Sequence, residues 1–483
     1  MAQNGDSHQN GNQNDDSQKQ DAQSDGLESY QRKTKIPFVI FFKDLRRVCK
    51  LDALGKEILG IAIPAILTLA ADPVASLIDT MFIGRLGAVD IGGVGVAIAI
   101  FNQASRITMY PIVSITTSFV AEEHSMEQMA KEAQKAEANK LETLEDGSTP
   151  KNDSNETESK SPSKEKAVAT ARQYLTVRAL GAPAVLLSLA MQGVFRGFKD
   201  TTTPLYATVV GDALNIVLDP IFIFVLRFGV RGAAISHAIS QYTIALILFL
   251  RLMQEVNLLA PGVKQLQFGR FLKNGALMLT RVIAVTSCVT FAAALAARQG
   301  PTPMAAFQIC LQVWLTSSLL ADGLAVSGQA ILAYAFAEKD HKKAIETALR
   351  VAQLGFVAGL GLLVVVGAGL YFGAGVFTTD KNVLHLMYLG IPFIAGTQPI
   401  NTLAFVLDGV NFGASDFAYT AYSMASYDGY SQYSSEYLLS RAKGYLGIWY
   451  ALIIYMGLRT VAGVWRVGTA TGPWRFLRGK PLP

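Results

Sequence analysis

The chain has 483 residues, of which 51% are hydrophobic and only 16% are charged. A soluble chain of this length normally carries more charge, so the composition predicts a membrane protein. The net charge of +5 does not indicate nucleic-acid binding, because the basic residues fall at the ends of apolar segments, where membrane topology explains them. The three cysteines lie far apart in sequence and predict neither a disulfide framework nor a metal site.

The amino-terminal tail, residues 1–35, is rich in Gln, Asn, Asp and Ser and does not resemble a cleavable signal peptide. We predict that it is disordered. Residues 32–56 carry eight Lys or Arg residues, and this excess of positive charge places the tail in the cytoplasm.

Ten segments are long and apolar enough to span a bilayer, which takes roughly 20 residues, so we predict an all-α polytopic membrane protein. A polar stretch, 122–172, separates the second segment from the third and is expected to be a cytoplasmic insertion. The predicted spans are 58–83, 91–120, 174–195, 205–226, 232–252, 271–297, 303–333, 351–373, 383–407 and 446–466.

An internal repeat divides the chain into two halves, as in many secondary transporters. Residues 36–253 form one predicted lobe and 271–466 the other, joined by a loop at 254–270 and followed by a cytoplasmic tail at 467–483. The landmarks that recur at an offset of 216 are Pro183/Pro399, Gly193/Gly409, Gly197/Gly413 and Asp200/Asp416.

The repeat also predicts that each lobe has lost one span of a twelve-span design. The counterpart of the span at 351–373 is the polar stretch 135–157, and the counterpart of the span at 205–226 is residues 421–442. Twelve-span numbering places all the basic connections in the cytoplasm, whereas ten-span numbering would place three groups of them outside. These groups are Arg196 with Lys199, Lys264 with Arg270, and Lys339 with Lys342 and Lys343.

Several stretches of the chain resemble the multidrug and toxic compound extrusion (MATE) family. They are Pro64–Gly84, Gln192–Thr201 and Asn215–Pro220, together with three that look closest to the plant citrate-efflux branch, Ala305–Trp314, Gln398–Asn401 and Gly468–Trp474. The resemblance implies two pseudo-symmetric helix-bundle lobes around a central cavity. It implies a transporter and not an enzyme, exporting an organic anion such as citrate in exchange for protons or sodium. It further implies a monomer in the plasma membrane without a bound cofactor.

Ionisable groups inside spans are functional candidates, because they are costly to bury in a bilayer. Asp72 and Asp79 lie two turns apart on one face of the first span, and Asp212, Asn215 and Asp219 share one face of another. Clustered carboxyl groups in a low dielectric bind protons more readily, because desolvation and mutual repulsion disfavour the charged form. The resemblance implies that Asp79, Asn215 and Asp219 couple cations. The alternative is that Asp219 ends a helix and Asp79 caps a turn.

His237, in a neighbouring span, could join this cluster as a proton carrier or could simply be a packed hydrogen-bonding residue.

Two arginines inside spans could bind a substrate carboxylate, since a guanidinium group grips a carboxylate with two parallel hydrogen bonds. These are Arg106 and Arg281, and the alternative is that each pairs with a buried aspartate. A polar face in the carboxy-terminal lobe completes the predicted substrate site, although contacts between helices would explain its amides equally well. Its members are Gln308, Gln312, Asp322, Gln398, Asn401 and Asp408.

Other functions remain open at this point, and one of them is the export of other small organic compounds. The missing spans favour a transport-inactive isoform that acts by association with an intact transporter. A membrane-embedded enzyme for lipid-linked substrates is not supported, because the chain has no paired Asp-rich metal motif.

Overall fold

The structure, a computed structural model, describes residues 52–84, 111–126, 172–255, 268–378, 380–427 and 430–478. Within these ranges the chain is helical and contains no β-strand. The helices are α1 (Ala53–Gly84), α2 (111–126), α3 (Arg172–Ala179), α4 (Ala182–Gly197), α5 (Thr202–Pro220, extended by the π-helical turn Ile221–Val225), α6 (Val230–Glu255), α7 (Phe268–Arg298), α8 (Pro301–Ala337), α9 (His341–Phe377), α10 (Lys381–Gly396), α11 (Gln398–Gly413), α12 (Phe417–Tyr427), α13 (Tyr430–Lys443) and α14 (Tyr445–Gly468), with a final 3₁₀ helix at Gly472–Arg478.

Nine predicted spans coincide with helices that can cross a membrane. Seven helices of the described chain are long and apolar enough on their own, and the bent pairs α3–α4 and α10–α11 qualify as two more. The remaining prediction, 91–120, lies mostly outside the described residues, and its last part belongs to α2. The fold is therefore that of an all-α, polytopic membrane protein.

The two bent pairs confirm the internal repeat. Helices α3 and α4 meet at 49° and helices α10 and α11 at 47°. Pro183 and Pro399 lie in the first turn of the helix after each break. Proline is tolerated there because a backbone N–H in the first turn has no partner within the helix.

Equivalent turns also end α4 and α11. Lys199 and Ser415 have left-handed backbones, with φ angles of 61° and 54°. In each turn the next residue donates a backbone hydrogen bond of 2.9 Å, from Asp200 to Phe195 and from Asp416 to Asn411. The residue numbers of the two turns differ by 216 at each of these positions, which are Lys199/Ser415, Asp200/Asp416 and Phe195/Asn411. The duplicated sequence therefore folds into a duplicated structure.

Basic side chains gather at one end of the bundle, which we call the basic end and define by Lys199, Arg270 and Lys343. Lys199 lies 2.9 Å and Lys343 lies 3.7 Å from Glu57, at the start of α1. Arg270 lies 2.7 Å from Glu122 on α2. This arrangement matches twelve-span numbering, in which these basic connections lie on one side of the membrane. That this side is the cytoplasm stays a prediction.

The predicted insertion 122–172 needs correction at both edges. Helix α2 continues to residue 126 and α3 begins at Arg172, because both edges pack on the bundle. Glu122 lies at the basic end, whereas Tyr174 shares a buried apolar cluster with Ile83, in the last turn of α1. The chain thus re-enters the described structure at the end opposite to the one it left. Residues 135–157 lie outside the described ranges, so the missing third span stays a prediction.

The eleventh position is occupied, which corrects the prediction that residues 421–442 leave a gap there. Helices α12 and α13 run from one end of α14 to the other. Before α12, Asp416 lies 2.6 Å from Arg466, near the end of α14. Near the end of α13, Ser440 lies 3.1 Å from Gln299. Sequence hydropathy missed this crossing because neither helix is long and apolar enough to qualify as a span alone.

The predicted tail at 467–483 also needs correction over its described part. Trp474, in the 3₁₀ helix, is fully buried and packs edge-on against Phe336 at 5.2 Å between ring centroids. Phe476 stacks on His341 at 4.2 Å. Two aromatic side chains therefore anchor this segment to the ends of α8 and α9.

The two lobes contact each other towards the basic end. Gln329 on α8 donates a 2.7 Å hydrogen bond to the carbonyl of Ser114, and the Ser118 hydroxyl donates at 3.0 Å to the carbonyl of Phe412. A side chain at Gly323 would collide with Ile66 of α1, so the absence of one lets the first span pack closely on α8.

Candidate functional site: two buried charge clusters, one in each lobe

The amino-terminal cluster lies between α1, α5 and α6. Asn215 donates a 2.6 Å hydrogen bond from Nδ2 to Oδ1 of Asp79, and the Ser236 hydroxyl donates to Asp219. The side chains of Asp79, Asn215 and Asp219 are all buried. Because Asn215 and Asp219 are one helical turn apart on α5, both face the α1 and α6 helices that pack beside them.

The cluster brings together most of the predicted coupling residues. Asp79 interacts electrostatically with Asp219 and with Asp212. Asp219 lies one residue before the end of the α-helical part of α5, and the chain then continues through Pro220 into the π-helical turn. Its position at this transition does not by itself decide between the coupling role and the helix-end alternative. The side chain of Asp72 lies outside the described part of the structure.

A buried arginine acts electrostatically on this cluster. Arg178 of α3 donates a hydrogen bond to the hydroxyl of Tyr174, and its guanidinium carbon lies 5.5 Å from the tyrosine ring centroid. The charge of Arg178 acts on Asp79 and on His237, which brings the predicted His237 into the same electrostatic neighbourhood.

The carboxy-terminal cluster is built around Asp408 of α11. Arg281 of α7 and Arg459 of α14 both donate to its Oδ2 atom, and the bond from Arg459 Nε is 2.9 Å. Each guanidinium group also lies over an aromatic ring, at 4.9 Å from Phe412 for Arg281 and 4.4 Å from Phe405 for Arg459. Such contacts with a ring face favour a desolvated cation.

Two further charges extend this cluster. Asp322 of α8 interacts with Arg459 and Asp408, and Arg196 of α4 acts on Asp322 from the other lobe. With three arginines and two aspartates, the cluster has a formal charge of +1.

The predicted amides do not join the cluster. Gln308 and Gln312 are exposed on a part of α8 well away from Asp322, roughly 15 Å along the helix for Gln312. Gln398 is buried and bonds to Ser317 at 3.1 Å, which is a helix-packing role. Asn401 is buried with its Oδ1 unpaired. Arg106 lies outside the described residues.

Comparison with known proteins decides the family. The MatE family model matches residues 161–221 and 278–429. The Arabidopsis thaliana protein DETOXIFICATION 43 is 58% identical over 93% of this chain and 97% of its own length. DETOXIFICATION 42, from the same plant, is 53% identical over 92% of this chain and 97% of its own length.

The chain belongs to the MatE family. A MOP superfamily transporter from Pyrococcus furiosus has the same fold, with a TM-score of 0.72 over 90% of this chain and 99% of that one, at 17% identity. Members of the MatE family are efflux transporters, so this protein is a multi-pass membrane transporter and not an enzyme.

Within this MatE protein, sequence reasoning missed three charged members of the two clusters. Arg178 and Arg459 each lie inside a predicted span, at 174–195 and 446–466. The rule that an ionisable group inside a span is a functional candidate singled out Arg281 and applies equally to these two arginines. The sequence therefore did contain the information needed to find them. Arg196 was interpreted only as a marker of membrane topology. Its electrostatic effect on Asp322 depends on how the two lobes pack, which the sequence alone does not show.

Proposed function

We propose that this protein exports small organic anions, with citrate or a similar carboxylate as its substrate, in exchange for a monovalent cation. We place it in the plasma membrane as a monomer without a cofactor. The observation that carries the anion assignment is the pair Arg281 and Arg459, which share the single carboxylate of Asp408.

The charges of the carboxy-terminal cluster favour an anionic ligand. Arg196, Arg281 and Arg459 stay protonated at any physiological pH, and the carboxylates of Asp408 and Asp322 can neutralise only two of them. A further carboxylate, supplied by the substrate, would neutralise the remaining positive charge by charge-assisted hydrogen bonds. Asp408 then acts as a resident counter-ion, which keeps the two guanidinium groups paired when no substrate is bound.

The amino-terminal cluster supplies the coupling step. Asp79 and Asp219 are buried in facing helices and held by Asn215 and Ser236. Binding of a cation to this pair removes a repulsion between carboxylates and stabilises the arrangement in which α1 and α5 are packed together. Release of that cation would favour a different arrangement of the lobe.

Transport in proteoliposomes tests the substrate. Radiolabelled citrate flux is expected with the intact protein and should fall at least about tenfold in Arg459→Gln, since one charge-assisted pair is lost. Arg251→Gln, which changes an exposed arginine at the end of α6, is the matched control and should keep its flux. The proposal is wrong if correctly inserted protein moves no citrate, or if Arg459→Gln moves it normally.

One observation favours a second candidate, an inactive partner of a complete transporter. The alignment with DETOXIFICATION 43 is 516 positions long, whereas this chain has 483 residues, so the relative has residues without a counterpart here. If this reading is right, the chain alone moves no citrate. When produced together with DETOXIFICATION 43, it would copurify with that protein and change its activity.

A further inference from the structure

We propose that Ser118 of α2 is a positioning residue for the anion site of the opposite lobe. Its hydrogen bond to the carbonyl of Phe412 holds the ring that lies over Arg281, so closure of the basic end and pairing of Arg281 with Asp408 stabilise each other. The proposal rests on the anion-binding role given to Arg281 above. It goes beyond that role because it identifies how binding of the substrate would open the basic end.

The hydroxyl of Ser118 lies in a buried polar contact between the lobes. It donates a 3.0 Å hydrogen bond to the carbonyl of Phe412, which also accepts from the backbone amide of Ser415 in the turn that ends α11. In return, Ser118 accepts a 3.0 Å bond from Nε2 of Gln329, which also donates to the carbonyl of Ser114 at 2.7 Å. Since unpaired buried polar groups are costly, these bonds favour the closed arrangement of the lobes.

Phe412 connects this contact to the arginines. It lies one helical turn after Asp408 on α11, so both side chains project from the same face of that helix. The centroid of its ring lies 4.9 Å from the guanidinium carbon of Arg281, which donates to Asp408. A movement of the last turn of α11 away from this position would weaken the contact between ring and cation.

Apolar packing joins the same helices. Ile115 lies three residues before Ser118, on the same face of α2, and is fully buried. It belongs to one apolar cluster with Met278 of α7 and with Phe412. Met278 in turn precedes Arg281 by three residues, so these two side chains share a face of α7. Helix α2 therefore supports both the helix that carries Arg281 and the ring beneath its guanidinium group.

Burial of the anion site gives the coupling its direction. With the basic end closed, the side chains of Arg281 and Asp408 are only 6% and 11% exposed, and the guanidinium group contacts both a carboxylate and a ring. A substrate carboxylate must displace part of this enclosure to reach Arg281. Coupling free energies are reciprocal, so opening of the basic end favours substrate binding as much as substrate binding favours opening.

Two spin labels across the basic end measure this linkage without any substrate. His124 and Tyr334 bond to each other across the lobes. Glu123 is the exposed neighbour of His124, and Glu338 is exposed one turn after Tyr334, so both can carry labels after substitution with cysteine. Cys49→Ser removes a further thiol, whereas the other two cysteines are buried. Double electron–electron resonance on the purified full chain then gives the ratio of open to closed protein.

The expected result is a non-additive double-mutant cycle. Ser118→Ala should raise the ratio of open to closed protein about two- to tenfold, the range for loss of one net hydrogen bond. Arg281→Gln should also raise it, because it removes the cation that the ring contacts. The double variant should fall short of the product of the two effects, since each change breaks the same linkage. Phe412→Leu, which keeps the carbonyl but lacks the ring, replaces Arg281→Gln if that protein does not fold.

The matched control is Ser114→Ala, which removes a hydroxyl one turn earlier on α2 and keeps the carbonyl that Gln329 contacts. It should leave the distances unchanged. Unchanged distances in Ser118→Ala, or effects that simply multiply in the double variant, would overturn the proposal.

Citrate adds a separate arm to the experiment. It should open the basic end of the intact protein and bind about two- to tenfold more tightly to Ser118→Ala than to Ser114→Ala. Equal binding of citrate to these two variants would also overturn the proposal. A non-additive cycle in a protein that binds no citrate would support the linkage and refute the assigned substrate, so the two failures are distinguishable.

Discussion

At the scale of single residues, the protein separates its buried charges into two kinds of cluster. The amino-terminal cluster has an excess of carboxyl groups, whereas the cluster around Asp408 has an excess of arginines. Opposite charge excesses suit opposite ligands, a cation in one lobe and an anion in the other. An exporter that exchanges the two needs both kinds of site.

The role of Asp79 can be tested by removing its charge. Asp79→Asn retains the shape and can still bond to Asn215 but cannot take up a proton. We expect exchange of internal for external citrate to continue, while flux no longer accelerates when an inward proton gradient is imposed. Comparison of both rates in one set of vesicles gives the measurement.

Asp380→Asn is the control for this prediction. Asp380 is exposed and caps α10 by accepting a 2.8 Å bond from the amide of Asn382. Asparagine is an equally good cap, so this variant should respond to the gradient normally. An Asp79→Asn protein that still responds would show that Asp79 does not couple transport to protons.

At the scale of helices, close contacts through glycine hold helices together in both halves of the fold. A Cβ atom on Gly413 would lie 2.8 Å from the carbonyl oxygen of Gln329, and one on Gly197 would lie 3.0 Å from that of Thr117. These equivalent sites let α11 approach α8 and α4 approach α2. The shared glycines of the repeat therefore have a packing reason.

Gly413→Ala should destabilise the protein. The added methyl group must push α8 and α11 apart, and such overpacking typically costs about 1–3 kcal/mol. Gly361→Ala in α9 is the matched change, since nothing lies within 4 Å of its added methyl group. It should be neutral or slightly stabilising, because alanine favours helix.

Thermal unfolding of the two variants in detergent makes this comparison. The expected order of midpoints is Gly413→Ala below the unmodified protein, and Gly361→Ala at or above it. Equal midpoints for both variants would mean that α8 and α11 are not closely packed at Gly413.

At the scale of the whole molecule, the lobes are closed against each other at the basic end. The ion pair between Lys343 and Glu57 crosses from one lobe to the other, as does the pair between Arg270 and Glu122. In the predicted topology, which places the basic end in the cytoplasm, a substrate collected from the cytoplasm enters at this end. The interlobe contacts there must therefore open during each cycle.

Cross-linking at this end tests that requirement. In a protein carrying Glu57→Cys and Lys343→Cys, a short reducible cross-linker should join the two positions, whose charged atoms lie 3.7 Å apart. Citrate flux should then be lost and should return after reduction. Each single substitution, treated alike, is the control. Full flux in the cross-linked protein would show that the lobes do not separate here.

The sequence alone was enough to establish the membrane class, nine of the spans and the duplicated design. Apolar segment length and the repeat of Pro183, Gly197 and Asp200 are local signals that need no tertiary information. Helical spacing predicted that Asn215 and Asp219 share one face, and the resemblance to the MATE family implied that Asp79 joins them.

Only the tertiary structure decided what each buried charge faces. Arg281 and Arg459 both pair with the carboxylate of Asp408. These three residues lie on three helices that are far apart in sequence. The eleventh crossing by α12 and α13 was likewise invisible to hydropathy, because packing against α7 and α14 supports helices that are too short and too polar to qualify as spans. Composition and spacing report on a single helix, whereas charge pairing depends on which helices become neighbours.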